Sequence, residues 1–577
     1  MMGSYAGRVQ RLSNGDNAGA MEGSGGFVYI AQQPQTAPAA PRRPRQERQE
    51  RPRTPIQQQQ PQISYSPVPL PEPLEEPVEE PIEELPLDDP IETIFSGPDE
   101  IMTISRMQPS ASSLLFSTEF PTSIDIPELS PYNLSPMHRF LFHHYMHETI
   151  RLTAPSDYAR TEICRLVVPM SFRHPCLLYA VLAFGARHIH SLGGFPVGVS
   201  GDGLIMELED ESMRHLRQQL SDGQSLTQHA SVALATTRTL CQSQIFATDH
   251  SWRTHLEGAR AILQAVGEAQ RESPPTTSSS PASELDLFLA SWYDNVEAQA
   301  ALTPLGLRRG QLEMASTRRN SVLPQTNKNG EDVYFDVFGG VASDVPDLFR
   351  EVGALVMEKR RSMKREQRRI QIVDDDDDED DDEEEEEEEE EESDSILSAD
   401  DIAREADALV QAIHARLQRD AVGNTLRRLQ GDDRVARSLP RDTMHDYALS
   451  NAGFLHTALL YIHGAVQDLP PTAPCIQHSV QQILWASDNM QSTSAPLSPR
   501  VLMATPLFSA GLWALPDAQV AVQQSFAAMG TWMRTPHNRR SAALLAHVWS
   551  KTAASPEVYH DVLTYLEEME NSEFLPY

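Results

Sequence analysis

The chain is predicted to be all-α, and three observations predict it. Apolar residues recur three and four positions apart through most of the sequence beyond Leu134. Segments alternating with period two are few, and runs of β-branched residues are scarce. Prolines at helix starts and glycines at helix ends bracket several of the periodic stretches.

The first helix is expected after Ser135-Pro136, with Phe140, Leu141, His144 and Tyr145 on one face. The strongest pattern lies in residues 166–194, LVVPMSFRHPCLLYAVLAFGARHIHSLGG. Pro175 suits a first helical turn, whose N–H lacks an intrahelical partner. Leu178, Val181, Leu182, Gly185, Ile189 and Leu192 follow at helical spacing, and Gly193-Gly194 supplies a left-handed stop. Ala180, Ala183, Gly185 and Ala186 leave room for close packing. Next, Trp252, Leu256, Ala259, Leu263 and Val266 step by fours and threes, with Gly267 read as the end of the run. Ser283-x-x-Asp286 has capping-box spacing before a stripe of Leu285, Phe288, Leu289, Trp292, Tyr293 and Val296. Later helices are expected around 447–466, 476–490, 520–532, 541–549 and 557–570.

Two regions fall outside this helical pattern. Of the 577 residues, 42 are prolines, concentrated before residue 140, so the globular part is shorter than the chain. Residues 1–133 are rich in Pro, Gln and Glu, and such a composition buries too little apolar surface to offset chain entropy. That region is expected to be disordered. It carries an arginine tract (Arg42, Arg43, Arg45, Arg48, Arg51 and Arg53) and a mixed stretch in which Leu85, Leu87, Ile91, Ile94 and Phe95 sit among acids. The mixed stretch reads either as an activation segment or as a solvated linker. The second region is 358–400. It begins with seven cations, Lys359, Arg360, Arg361, Lys364, Arg365, Arg368 and Arg369, and continues into 19 consecutive acids at 374–392. Charges packed this densely repel one another and stay solvated, so a disordered insertion is expected. The resulting organisation is 1–133 disordered, 134–357 helical, 358–400 inserted and 401–577 helical.

Composition also restricts function. The net charge is −36, so nucleic acid or an anionic membrane would be met only through a local basic patch. The seven cations of 359–369 form one, readable as a nuclear-import segment, as a phosphate contact, or as charge balance for the adjoining acids. The four cysteines, Cys164, Cys176, Cys241 and Cys475, show no CxxC pair, which fits buried free thiols in a reducing compartment. No leader-like apolar segment opens the sequence, and no run of about 18 apolar residues predicts a membrane span.

The sequence carries no recognisable catalytic constellation. His147-Glu148 begins like HExxH, but Arg151 stands where the second ligand belongs. His143 and His147 share a helical face without a third ligand at matched spacing, so no metal site is expected. Gly198-Val199-Ser200-Gly201-Asp202 is not a nucleophile elbow, and no phosphate-binding glycine loop is present. The sequence therefore gives no catalytic, metal or cofactor residues, and the chain is not read as an enzyme.

The wording and order of the helices nevertheless point to one family. NLSPMHRFLFHHYMHETIRLTA, VVPMSFRHPCLLYAVLAFGARHI and LCQSQIFATDHSWRTHLEGARAILQAVG are followed by FLASWYDNVEAQAALT, FLHTALLYIHGAVQDLP, PLFSAGLWA and NRRSAALLAHVWSK. Together they resemble the fungal-specific transcription factor domain, the helical regulatory region that follows a Zn2Cys6 cluster in many fungal regulators. The most specific stretch is 251–266, where Trp252, Gly258, Ala259 and Arg260 match a Trp-led helix with an internal Gly-Ala-Arg. The resemblance implies a multi-helix regulatory domain, a nuclear location, and partners among the transcription machinery or other regulators, with homo- or hetero-oligomers in scope. None of the four cysteines precedes Cys164, so the six-cysteine cluster cannot be drawn. DNA contact by this chain is left open, and zinc enters only with a cluster encoded upstream. Trp252 is expected to anchor the core, while Arg260 is expected to cap a helix or face solvent. The alternative reading is a non-nuclear helical interaction scaffold, although no fixed period of roughly 33–45 residues supports a repeat array.

Overall fold

In a computed structural model, the described residues are 134–195, 200–221, 226–248, 251–272, 284–307, 333–374, 397–492, 497–554, 562–568 and 574–576. The reading of 1–133 as disordered, the arginine tract, the mixed acidic and apolar stretch, and the acids after Asp374 lie outside them. Among the described residues there are 17 α-helices, with only a two-residue antiparallel hairpin of β1 (Phe335–Asp336) and β2 (Val341–Ala342) beside them.

The first group of helices is α1 (Pro136–His147), α2 (Asp157–Ser171), α3 (Pro175–Ser191), α4 (Gly201–Ser221), α5 (Leu226–Ala247), α6 (Trp252–Glu272) and α7 (Glu284–Ala300). The signals in the sequence act largely as expected. Ser135 accepts a hydrogen bond from the His138 N–H, and Ser156 does the same for Ala159, so both cap their helices. Pro175 occupies the first turn of α3, and Gly193 follows the helix in the left-handed region at φ 65°. α3 lies at the centre of this group and packs on α1, α4 and α5. Gly185 makes the α1 crossing possible, because a Cβ there would stand 2.7 Å from the Leu141 carbonyl oxygen. Leu141 and Tyr145 are buried as expected, whereas Phe140 is 49% exposed and lies off the buried face. Gly267 does not end α6, which continues to Glu272. Ser283 lies outside the described residues.

The second group begins with α8 (Val345–Asp374) and continues with α9 (Ala399–Arg419), α10 (Val422–Gly431), α11 (Asp433–Ser438), α12 (Arg441–Tyr461), α13 (Pro474–Asp488), α14 (Ala504–Leu512), α15 (Pro516–Met533), α16 (Pro536–Ala554) and α17 (Val562–Glu568). The expectation that the insertion starts at 358 is corrected here. Residues 358–374 continue α8 without a break. The physical reason is that several of their cations find acids on neighbouring elements, which removes the repulsion that argued for disorder.

α12 is buried on nearly every side, and its Leu449, Phe454, Leu455, Ala458 and Leu459 belong to the main core. It packs on α8, α9, α10, α13 and α14 and runs on into a π-helical turn, Ile462–Val466. There Gly464 lets the Trp513 indole come against the backbone. α16 returns to pack on α5, so the two groups share one continuous core.

Candidate functional site

α7 positions a cluster of buried charges. Its stripe of Phe288, Leu289, Trp292, Tyr293 and Val296 is buried, as the spacing predicts. The same helix buries Glu297, whose exposure is 0%. Isolated, a carboxylate there would be very costly. Both of its oxygens are instead occupied. Arg260 of α6 donates to Oε1 from Nε (3.1 Å) and Nη2 (2.9 Å), and the Tyr293 hydroxyl donates to the same oxygen. Arg350 of α8 donates to Oε2 from Nε (2.9 Å). Arg350 also reaches Asp294 (2.7 Å) and Asp347 (2.9 Å). Burial opposes the charge of Arg350, but Asp294 and Glu297 outweigh it and raise its pKa. The seam joins three helices whose residues are far apart in sequence. It corrects the expectation for Arg260, which is 6% exposed and an internal ion-pair partner rather than a cap or a surface group.

A second set of charges continues along α8. Asp344, just before the helix, accepts hydrogen bonds from Arg416 Nε (2.9 Å) and from Arg419 Nη1 and Nη2 (both 2.8 Å). Burial pushes its pKa up, but those two guanidiniums prevail and hold the carboxyl below its usual range. Arg419 and Arg428 also bind Asp420. Asn451 of α12 receives the Ala342 N–H at 2.8 Å and so ties the hairpin to the core. Asp336 in the hairpin accepts from Ser291, Asn295 and the N–H groups of Phe338 and Gly339, yet burial still raises its pKa. These charges are arranged to lock helices together.

The cations predicted as an import segment do not act as one unit. Arg360 is buried and donates to the Pro304 carbonyl, to Thr564 (3.2 Å) and to Glu567 (2.5 Å). Lys359 pairs with Asp468 at 2.8 Å, and Arg361 with Glu358 at 3.1 Å. Lys364 is exposed and lies 3.7 Å from Glu567. Arg365 is half-buried. Arg368 and Arg369 are on α8, with side chains outside the described residues. The first half of the tract is therefore built into the fold.

A histidine cluster lies between α1 and α3. His144 Nε2 and Thr149 Oγ1 each stand 3.2 Å from His188 Nδ1. Burial, and then the neighbouring histidine, lowers both imidazoles, His188 to about 4 and His144 to about 4. His456, buried in α12, is lowered to about 4 in the same way. A depressed histidine contributes stability that is complete above its unfolded pKa of 6.5 and is lost as pH falls toward 4. Thermal melting followed from neutral pH to about pH 4.5 is expected to show a falling Tm, with a shallower fall in His188→Gln. Equal slopes in the two proteins would contradict this assignment.

His143 and His147 stand side by side with ring centroids 4.2 Å apart. Among the described residues, no three His, Cys, Asp or Glu side chains gather as metal ligands. All four cysteines are free, and no described helix is long and apolar enough to cross a membrane.

Comparison with known proteins adds one match. A family model described as "Fungal specific transcription factor domain" matches residues 140–572. No curated protein and no solved structure matches the chain.

Proposed function

Because the chain belongs to the fungal-specific transcription factor domain family, we propose that it is a nuclear transcription regulator whose helical body relays signals to the transcription machinery or to other regulators. The observation that carries this reading is the extent of the match, which spans nearly the whole helical body from α1 to α17. The family is one of transcription factors rather than of enzymes, and the buried charges support a scaffold role because they are consumed in joining helices. The 19 consecutive acids at 374–392 are a dense negative charge that would attract basic partner surfaces. DNA contact is not assigned to this chain, since the six-cysteine cluster is missing from its sequence. Zinc has no part here without an upstream cluster.

Nuclear import is assigned to the remaining cations of the basic tract: Lys364, Arg365, Arg368 and Arg369. Deleting 359–369 would also remove the buried Arg360, so the clean test substitutes only those four by alanine. A tagged parent chain is expected in the nucleus, with a several-fold lower nuclear signal in the variant. Exclusion of the parent chain from the nucleus contradicts the regulator reading and favours the cytosolic scaffold. An unchanged variant contradicts the import assignment alone.

A further inference from the structure

Independently of the regulatory reading, the outward face of α15 has a pattern that the fold itself does not use. α13, α15 and α16 all pack on α14, whose nine residues are all buried. α15 also packs on both of the others, so the three helices form an outer layer over α14. The inward side of α15 is apolar, with Ala518, Val522, Phe526, Met529 and Met533 buried. On its outward side Asp517, Val520, Gln524, Ala527, Thr531 and Arg534 are all exposed. They follow one another by three, four, three, four and three positions, the spacing of a seam along which two helices meet. Val520 is 55% exposed, and on neighbouring α13 Trp485 is 51% exposed.

Charge says what covers this face. The chain carries −36, so most of its surface repels a second copy. Residues 518–533 hold no charged side chain. Charge stands only at the two ends, Asp517 in the first turn of α15 and Arg534 just past its last residue. Among the described residues neither forms an ion pair. Arg534 also holds φ at 52°, a left-handed conformation that favours glycine, so a long cationic side chain is kept there at a local cost.

The six positions are symmetric about the midpoint between 524 and 527. When two copies of α15 run antiparallel about that point, 517 falls opposite 534, 520 opposite 531 and 524 opposite 527. A two-fold axis there joins Asp517 of each copy to Arg534 of the other, so one pair of charges serves both ends. Ala527, with no side chain beyond Cβ, lets the helix axes approach to about 8–10 Å at the centre. α13, α15 and α16 are about 22–28 Å long and about 10 Å wide, presenting together roughly 800 Å². That matches the roughly 800 Å² that each partner gives to a stable interface of standard size. We propose that the α13–α15–α16 face is a homodimer surface, with the two α15 helices antiparallel about a two-fold axis and Asp517–Arg534 pairs closing both ends of the seam.

The test is analytical sedimentation of the full chain at up to about 10 μM, at or above the dissociation constants typical of interfaces this size. The parent is expected at twice the chain mass. Ala527→Glu sets two carboxylates beside the axis and is expected to weaken the dimer about 100-fold. Asp517→Arg places like charges opposite each other at both ends and is expected to weaken it about tenfold. Adding Arg534→Asp to Asp517→Arg re-forms both pairs with the signs exchanged, and is expected to return affinity to within about threefold of the parent. A parent that stays monomeric leaves this face to some other protein and overturns the proposal. A dimer unaffected by Ala527→Glu forms through another face and overturns it too, as does a double exchange no tighter than Asp517→Arg alone. Helical circular dichroism is recorded for each variant. Should Ala527→Glu lose its helix signal, Gln524→Glu places the same two charges at the axis and is judged by the same criterion.

Discussion

Glu297→Ala is expected to destabilise the protein by about 3–5 kcal/mol, the size associated with breaking a buried ion pair by removing one partner. The loss arises less from the missing attraction than from what remains. Arg260 and Arg350 are 6% and 5% exposed, and both lose their shared carboxylate. Arg350 retains Asp294 and Asp347, but Arg260 retains only the Tyr293 hydroxyl among the contacts of this seam. Arg260 should therefore account for most of the penalty. A paired change, Glu297→Leu with Arg260→Met, removes both charges together and is expected to recover a large part of the loss, since apolar replacements of buried pairs are often tolerated. Urea unfolding of the three proteins measures both effects. A Glu297→Ala protein within about 1 kcal/mol of the parent would show that the seam does not hold these helices.

Leu256→Asp is expected to abolish cooperative folding of the helical body. Leu256 is 1% exposed on α6, in the main core with Trp252, Ala259 and Leu263. An aspartate there places a carboxylate among apolar side chains, and burying it without a partner costs several kcal/mol even when it takes up a proton. The lost leucine adds about 2–5 kcal/mol as a cavity term. The sum rivals the whole stability of an ordinary domain, about 5–15 kcal/mol. Loss of the cooperative thermal transition measures this, and a parent-like melt would contradict it.

These two sites show what could be read without coordinates. Trp252, Leu256, Ala259 and Leu263 announce a buried face through spacing alone, because burial on one helix side is a local pattern. The same holds for α3, where Pro175 and Gly193 mark the ends. An arginine is usually exposed, so the sequence alone points to a surface or capping role for Arg260. Its partner lies on α7, and nothing in one helix encodes which residue of another helix will face it. One signal was present: Glu297 follows Tyr293 at helical spacing inside a strongly apolar stripe, and a buried acid demands a cation. The extent of α8 is hidden in the sequence for a related reason. Residues 358–374 look self-repelling in sequence, yet Arg360 and Lys359 are neutralised by Glu567 and Asp468, which are distant along the chain. α5 is also weakly marked in the sequence. α5 buries a run of polar residues, including Thr236, Thr237 and Thr239, whose hydroxyls donate to carbonyls four residues earlier, so its apolar pattern is diluted. For function, family wording is legible in the order of the helices, whereas the seam at Glu297 is assembled from α6, α7 and α8 and has no signature within any one of them.

Regulation of transcription is tested most directly by tethering the full chain to a heterologous DNA-binding module upstream of a reporter in a fungal host. Reporter output that changes several-fold with the parent chain, and returns to baseline with Leu256→Asp at equal protein level, is the expected result. Output indistinguishable from the DNA-binding module alone, from a parent chain shown to be folded and nuclear, would contradict it.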